Sequence, residues 1–359
     1  MKYIKVEDIK DGMRIAKPIY SDTGILLYGR DTKINESVKE NIKKLNFYGM
    51  YILEPTEPLP PVLPEEEKFE KFQTLTTYQL KKELDSFVSG GSMEIEPIVA
   101  NIIRNFGGLK NKITYIQTMR SNEDFPYKHM LSVAMLCSII CGRLNMEPKE
   151  QISIISAALI HDLGKLIAPS ELINKQGKLT PAELKKINEA ELKGYDLVRD
   201  NYSISAGIRR YIIQQRAERT NEMAKSDNNE SEQKLLLGTK IIKVADMFDT
   251  LTAMRVYKDP MSEFSAIKFF REREDQYDEK IVDALIESIH ILPKGACVEL
   301  TNGEKGLVLE ESEYFLLRPK VLVFGSNVIH DLSQRKTYEQ IQIKDILKTM
   351  DNRFVMNNS

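Results

Sequence analysis

The chain has 359 residues, of which 42% are hydrophobic and 29% charged, as in an ordinary globular protein of two or three domains. Its formal net charge of −2 gives no electrostatic basis for general nucleic-acid binding, and no apolar run is long enough to predict a membrane span. Three cysteines without a CxxC pair, and an N-terminus without an apolar signal segment, predict a cytoplasmic protein.

The first 54 residues are predicted to form a small α/β unit. Short apolar runs separated by a turn are typical of strands, and a polar cap residue, Asn35, precedes an amphipathic segment. The predicted elements are two strands, a helix and a third strand, over about 15–20, 25–28, 35–45 and 48–53.

A proline-rich segment, 55–64, predicts a stiff linker to a region that follows a helical pattern from 65 to about 290. His129 falls on the apolar face of one predicted helix in this region. The next apolar helix ends at His161 and Asp162. The region is therefore predicted to be a helical bundle whose helices carry polar side chains into the interior.

Two further sequence patterns predict where later helices of the bundle begin. Thr180 and Glu183 stand three residues apart, which is the pattern of a capping box at the start of a helix. The polar segment 218–234 predicts a loop, and the apolar helix after it carries Asp246 and Asp249 along one side.

Residues 291–359 change to a different pattern. Short strands separated by turns are predicted up to about residue 330, followed by a helical tail. The fold class is therefore mainly α: a helical bundle with a small α/β N-terminal unit and a β-rich C-terminal appendage.

Four side chains in the bundle have the chemistry of a metal site: His129, His161, Asp162 and Asp246. A divalent ion takes imidazole and carboxylate ligands that converge from separate helices and leave positions for water and substrate. Lys165, one helical turn after His161, would neutralise a substrate phosphate as a point charge. Asp162 and Lys165 are therefore the candidate catalytic residues.

The stretch from about 123 to 290 resembles the HD-GYP family, which belongs to the HD phosphohydrolase superfamily. Members of this family are bacterial phosphodiesterases that linearise cyclic di-GMP at a dinuclear or trinuclear metal centre, so the resemblance implies signal transduction. The motifs that carry it are YKHMLSVA at 127–134, HDLGK at 161–165, LTPAE at 179–183, GYDL at 194–197, and VADMFDTLT at 244–252 with RVYK at 255–258.

The chain departs from the family pattern at several positions. Ala190 stands where the family has a histidine, and Gln214 and Gln215 stand where it has a His-His pair. The family's Gly-Tyr-Pro loop has no counterpart, because segment 217–234 contains no Gly, Tyr or Pro. Phe125 occupies the position of a carboxylate that binds the third ion in trinuclear members.

These departures fall on one metal position of the family. The first ion uses residues matching His129, His161, Asp162 and Asp246, whereas the second shares Asp162 and depends on the missing histidines. Glutamine is a poor substitute for imidazole as a metal ligand. The resemblance therefore implies that one divalent ion (Fe, Mn or Zn) is retained, and a dinuclear centre is not expected.

Two more residues are candidates for supporting roles. Asp249 lies one turn after Asp246 and would either orient a ligand or form a hydrogen bond along the helix face. Arg255 would either bind phosphate or anchor the turn after the helix through a salt bridge.

Three functions are consistent with the sequence. The first is a degenerate HD-GYP signalling protein, weakly active or non-catalytic, that acts as a regulatory module. The second is a mononuclear metal-dependent HD phosphohydrolase acting on a phosphate ester or a cyclic dinucleotide. The third is a sensor that binds cyclic di-GMP without cleaving it. Expected partners are a cyclic dinucleotide or phosphate-ester ligand, signalling proteins and, through the helical segment 65–120, a second copy of the chain.

Overall fold

The structure is a computed structural model that describes residues 2–21, 23, 25–45, 49–53, 64–113, 115, 120–121, 123–175, 177–220, 235–253, 260–312 and 314–347. The predicted linker up to residue 63, most of the predicted loop 218–234, and Arg255 lie outside the described residues. Within them the fold is mainly α with small separate sheets, which confirms the predicted fold class.

Among its described residues, the N-terminal unit contains two small antiparallel sheets, a short 3-10 helix (Val6–Asp8) and one α-helix. Asn35 caps the helix, because its side chain accepts a hydrogen bond from the Val38 amide at 2.9 Å. Isoleucine side chains from the strands and the helix form a small core of their own. The elements are β1 (Lys2–Lys5), β2 (Arg14–Ile15), β3 (Ile19–Tyr20), β4 (Leu26–Tyr28), α1 (Glu36–Lys44) and β5 (Gly49–Leu53), paired in the orders β1-β5-β2 and β3-β4.

The helical bundle follows. The predicted capping box is confirmed, because Thr180 and Glu183 exchange side-chain and backbone hydrogen bonds at the start of α8. The helices are α2 (Pro64–Val88), α3 (Glu96–Phe106), α4 (Phe125–Arg143), α5 (Pro148–Ile160), α6 (Gly164–Ile167), α7 (Ser170–Ile173), α8 (Pro181–Arg199), α9 (Ala206–Arg219), α10 (Leu237–Thr252), α11 (Glu263–Arg271) and α12 (Glu279–Ser288).

Helix α4 is the centre of the bundle. It is apolar on every side, so it is buried on every side, and it contacts α2, α3, α5, α10 and α12. Among the described residues α4 alone is long and apolar enough to cross a membrane, but 89% of its apolar window is buried inside the protein. The core helix of a globular protein has the same composition, so this feature is weak support for a membrane span.

Two glycines allow α6 to lie directly against α8. A Cβ atom on Gly194 would lie 2.3 Å from the backbone nitrogen of Gly164, and a Cβ on Gly164 would lie 2.4 Å from the Cα of Glu191. Real side chains do not tolerate such distances, so the two backbones meet only because both residues lack a Cβ. This contact holds the turn between α5 and α6, which contains Asp162, against α8.

The C-terminal residues form one antiparallel sheet. Its strands are β6 (Cys297–Leu300), β7 (Lys305–Glu310), β8 (Lys320–Val323), β9 (Ile329–Asp331) and β10 (Ile343–Ile346), in the order β10-β6-β7-β8-β9. Its buried valines and leucines belong to the same hydrophobic core as the helices of the bundle.

The predicted helical tail after residue 330 is only partly helical. A short helix, α13 (Arg335–Gln340), is followed by β10, which pairs with β6 at the edge of the sheet. Ile341, Ile343 and Ile346 are β-branched, and the edge of β6 offers backbone hydrogen-bonding groups to them, so tertiary pairing decides the conformation. Residues 348–359 lie outside the described part of the chain.

We expect the substitution Gly194→Ala to lower the free energy of unfolding by about 2 kcal/mol, because the added methyl group would push α8 away from α6. Urea denaturation followed by circular dichroism measures this change. The matched control is Gly108→Ala, since no atom lies within 4 Å of the added methyl group there, and we expect a change within about 0.5 kcal/mol. Equal effects of the two substitutions would contradict the close approach.

Candidate metal centre

The structure brings the four predicted ligands together at the centre of the bundle. His129 lies in the second turn of α4, His161 ends α5, Asp162 follows it, and Asp246 lies in α10. The side chains of both histidines are fully buried, that of Asp162 is 4% exposed and that of Asp246 is 27% exposed. The carboxylate of Asp246 is therefore the part of the group that faces solvent.

The distances between these side chains are equal to, or up to about 0.4 Å longer than, those of ligands on a common ion. Asp246 Oδ1 lies 3.1 Å from His129 Nε2 and 3.8 Å from His161 Nε2, and Asp162 Oδ2 lies 3.5 and 3.6 Å from the same two nitrogens. Ligands about 2.1 Å from one ion are about 3.0–3.4 Å apart. Ligand atoms of His129, His161 and Asp246 all lie within 4.8 Å of one another, and Asp162 adjoins this trio.

Hydrogen bonds at the outer nitrogens orient both imidazoles. His161 Nδ1 lies 2.8 Å from the Ala158 carbonyl oxygen, and His129 Nδ1 lies 2.7 Å from Asp249 Oδ2. A carbonyl or a carboxylate only accepts, so each Nδ1 donates its hydrogen and the lone pair of a neutral imidazole is on Nε2. In this neutral form both buried Nε2 atoms have no hydrogen-bond donor opposite them within the described residues, only the oxygens of Asp162 and Asp246. They are therefore directed at the place where an ion would bind.

Asp249 is held by a buried arginine that the sequence did not single out. Arg120 Nη2 and Nη1 lie 2.6 and 3.0 Å from the two carboxylate oxygens of Asp249. The two side chains are 1% and 0% exposed. The guanidinium also lies over the ring of Phe125, which in turn stacks on the His129 ring. Asp249 therefore orients His129, as one of its two predicted roles requires, and Arg120 fixes Asp249.

Two cationic side chains contact Asp162. Lys165 Nζ contacts Oδ2, and Arg219 Nη1 and Nη2 lie 3.2 and 3.3 Å from Oδ1. Lys165 was predicted to meet a substrate phosphate; in this structure it neutralises a carboxylate instead, and its role toward phosphate stays a prediction. Arg219 ends α9 and was not predicted, although Arg216 and Arg219 form a basic pair one helical turn apart.

The acidity of the carboxyls follows from these contacts. Burial alone raises the pKa of Asp162, but Lys165, His161 and Arg219 outweigh burial and hold that pKa well below its usual range. Burial also raises the pKa of Asp246, and the adjacent imidazoles more than reverse this effect. Both groups are therefore ionised at neutral pH, which is the form that binds a metal ion.

The pKa of His129 shifts in the opposite direction to those of the carboxyls. Burial, and to a smaller degree Lys165, lower the pKa of His129, but the surrounding carboxylates of Asp162, Asp246 and Asp249 raise it to about 9. A metal ion at Nε2 therefore competes with a proton.

The positions of the missing family histidines do not form a second group of ligands. Ala190 is buried in α8. The amide oxygen of Gln214 accepts hydrogen bonds from the Leu236 amide at 3.0 Å and from Thr239 Oγ1 at 2.7 Å, so it is used in packing α9 against α10. Gln215 is also buried in α9. Arg255, the other predicted phosphate-binding residue, lies outside the described residues.

Comparison with known proteins finds an HD domain over the helices that carry these residues. Residues 113–281 match the sequence profile of the HD domain. A cyclic di-GMP phosphodiesterase of Pseudomonas aeruginosa is 27% identical over 232 residues, which cover 65% of this chain and 55% of that protein. The cyclic di-GMP phosphodiesterase response regulator RpfG of Xanthomonas campestris is 28% identical over 152 residues, or 42% of this chain and 40% of that protein. The chain thus spans about half the length of these relatives.

A solved structure of an HD-GYP-type protein from Bdellovibrio bacteriovorus aligns with a TM-score of 0.43 and 13% sequence identity, covering 79% of this chain and 97% of that one. The sequence matches are the stronger finding. They show an HD domain over residues 113–281 and similarity to cyclic di-GMP phosphodiesterases, which confirms the resemblance seen in the sequence.

We expect Asp249→Asn to weaken metal binding about 10- to 100-fold, because His129 would lose the anion that accepts its Nδ1 hydrogen and Arg120 would lose its buried counter-charge. Competition with a chromophoric chelator measures the affinity for Mn²⁺ or Zn²⁺. Asp275→Asn makes the same chemical change at an exposed position and should leave the affinity unchanged. An unchanged affinity in Asp249→Asn would show that Asp249 does not orient the ligand.

Proposed function

We propose that this protein is a degenerate HD-GYP-type signalling protein that binds one divalent metal ion and hydrolyses cyclic di-GMP weakly or not at all. The observation that carries the proposal is the pair of buried Nε2 atoms, of His129 and His161, which face the carboxylates of Asp162 and Asp246. Buried ring nitrogens without a hydrogen bond are costly, and an ion at this point would satisfy both.

The chemistry of the donor set fits Fe, Mn or Zn. Two imidazoles and two carboxylates are the ligand types that these ions accept. A bound ion would polarise a phosphoryl oxygen of a ligand. The residues of this chain would supply the rest: Asp249 and Arg120 keep the His129 ring oriented, and Lys165 balances the charge of Asp162.

Weak hydrolysis is inferred from what occupies the other side of Asp162. Ala190 offers no ligand atom, and the oxygen of Gln214 is already bound to Leu236 and Thr239. Asp162 Oδ1 meets the guanidinium of Arg219. These contacts leave no described set of ligands for a second ion beside Asp162, so we infer a mononuclear centre with little phosphodiesterase activity.

A mononuclear phosphohydrolase is the second candidate. The observation that favours it is the presence of two cations, Lys165 and Arg219, in contact with a metal-ligand carboxylate. Two cations exceed what the single charge of Asp162 requires, and the additional positive charge would attract an anionic substrate. The names of the relatives suggest cyclic dinucleotides as ligands, and a phosphate ester is the broader class.

The first test is the metal content of the purified full chain by mass spectrometry. We expect about one ion per chain in the wild type, because one set of four ligands converges, and none in His161→Ala. His330→Ala, which removes a histidine in the C-terminal sheet, is the matched control and should keep the ion. Circular dichroism must show that each variant is folded.

The same samples distinguish the two candidates. Little or no release of linear product from cyclic di-GMP by the metal-loaded wild type agrees with the signalling module. Turnover that disappears in His161→Ala but persists in His330→Ala supports the mononuclear enzyme. Two ions per chain, or no ion after loading with Fe²⁺, Mn²⁺ or Zn²⁺, would refute the single-ion centre on which both candidates depend.

A further inference from the structure

The two oxygens of Asp162 have different surroundings. Oδ2 faces the imidazole nitrogens of His129 and His161 at 3.5 and 3.6 Å, which is the side where an ion would bind. Oδ1 lies between the two terminal nitrogens of Arg219, at 3.2 and 3.3 Å. One carboxylate thus connects the candidate ion position to a guanidinium.

The guanidinium of Arg219 contacts Asp162, while much of its side chain is exposed to solvent. Its side chain is 47% exposed, whereas that of Asp162 is 4% exposed. A guanidinium has five N–H groups in a planar fork, and two of its nitrogens straddle a single carboxylate oxygen here. The guanidinium therefore has N–H groups beyond the two that face Asp162, on a side chain that is about half exposed.

A second arginine lies on the same side of α9. Arg216 precedes Arg219 by one helical turn, and its guanidinium lies 4.9 Å from the centre of the Tyr195 ring. Arg216 and Arg219 line a small cavity together with His161 and Asp162, and Tyr195 and the acidic Glu191 line it from α8. The cavity is therefore basic on the α9 side and adjoins the metal ligands on the other.

The charge balance of this region favours an anion. The carboxylates of Asp162, Asp246 and Asp249 are matched in number by the cations Lys165, Arg219 and Arg120. Because an imidazole that binds an ion is neutral, a divalent ion would leave the centre with a net positive charge. Arg216 and Glu191, which both line the cavity, offset each other. An anionic ligand is the group that such a centre attracts.

We propose that Arg219, assisted by Arg216, binds a phosphate group of a ligand seated at the metal centre. The guanidinium would donate its outer N–H groups to phosphate oxygens while its inner ones stay on Asp162, since arginine matches phosphate with a two-pronged hydrogen-bonding geometry. Neutralising Asp162 does not by itself require Arg219, because Lys165 already contacts the other oxygen. This inference names the ligand class of the site and rests on the proposed metal centre, but not on hydrolysis.

The test is isothermal titration calorimetry of the Mn²⁺-loaded full chain with inorganic phosphate and, separately, with cyclic di-GMP. We expect Arg219→Gln to weaken binding of at least one probe about tenfold or more, and Arg219→Lys to restore part of it. Arg210→Gln removes the same charge from an exposed position of α9 and should bind as the wild type does. If Arg219→Gln binds inorganic phosphate more weakly than the wild type does, the ligand is a phosphate monoester. If only its binding of cyclic di-GMP is weaker, the ligand is a phosphodiester.

Metal content, measured on the same samples, separates the two proposals. Arg219→Gln should keep about one ion per chain, since Asp162 Oδ2 and the imidazoles are untouched. Affinities within twofold of the wild type at unchanged metal content would overturn the role of Arg219, and so would a metal-loaded wild type that binds neither probe. If the wild type binds no metal, the proposal of a metal centre is wrong. The affinities of the wild type and Arg219→Gln, measured without metal, then still decide whether Arg219 binds phosphate.

Discussion

The buried charge of Asp249 is the constraint on which the metal centre depends. A carboxylate that is fully removed from water is very costly unless cations and hydrogen-bond donors surround it. Here those partners are Arg120, which precedes α4, and His129, within α4. The pairing connects α10 to α4 and its preceding segment, and it also fixes which nitrogen of His129 carries hydrogen. The same contacts therefore pack α10 against α4 and orient His129 for binding an ion.

The centre is asymmetric about Asp162. On one side lie the imidazoles of His129 and His161, whose Nε2 atoms face no hydrogen-bond donor among the described residues. On the other side lies the end of α9 with its arginines. The first side matches the ligand pattern that the resemblance implies. On the second side, α9 carries Gln214 and Gln215 where the resemblance predicts histidines. The α9 side chain that contacts this carboxylate is the cationic Arg219.

Local signals in the sequence predicted much of this arrangement. Periodic apolar residues identified the bundle helices, side-chain caps located the starts of α1 and α8, and residue chemistry with order along the chain identified the four candidate ligands. Arg120 and β10 were not predicted, because each depends on a partner more than 40 positions away. A single buried arginine has no periodic signature, and a short isoleucine-rich segment becomes a strand only when an edge is available to it.

The C-terminal sheet has a consequence for how the chain is made. Its buried residues continue the core of the bundle, and its edge strand β10 also touches α11, where Asp345 contacts Ser262. The bundle therefore cannot complete its interior while the ribosome is still translating the last strand. Until the sheet is complete, apolar residues of this shared core are exposed to solvent, and chaperones are expected to bind this intermediate. The N-terminal unit has its own core and can fold earlier in synthesis.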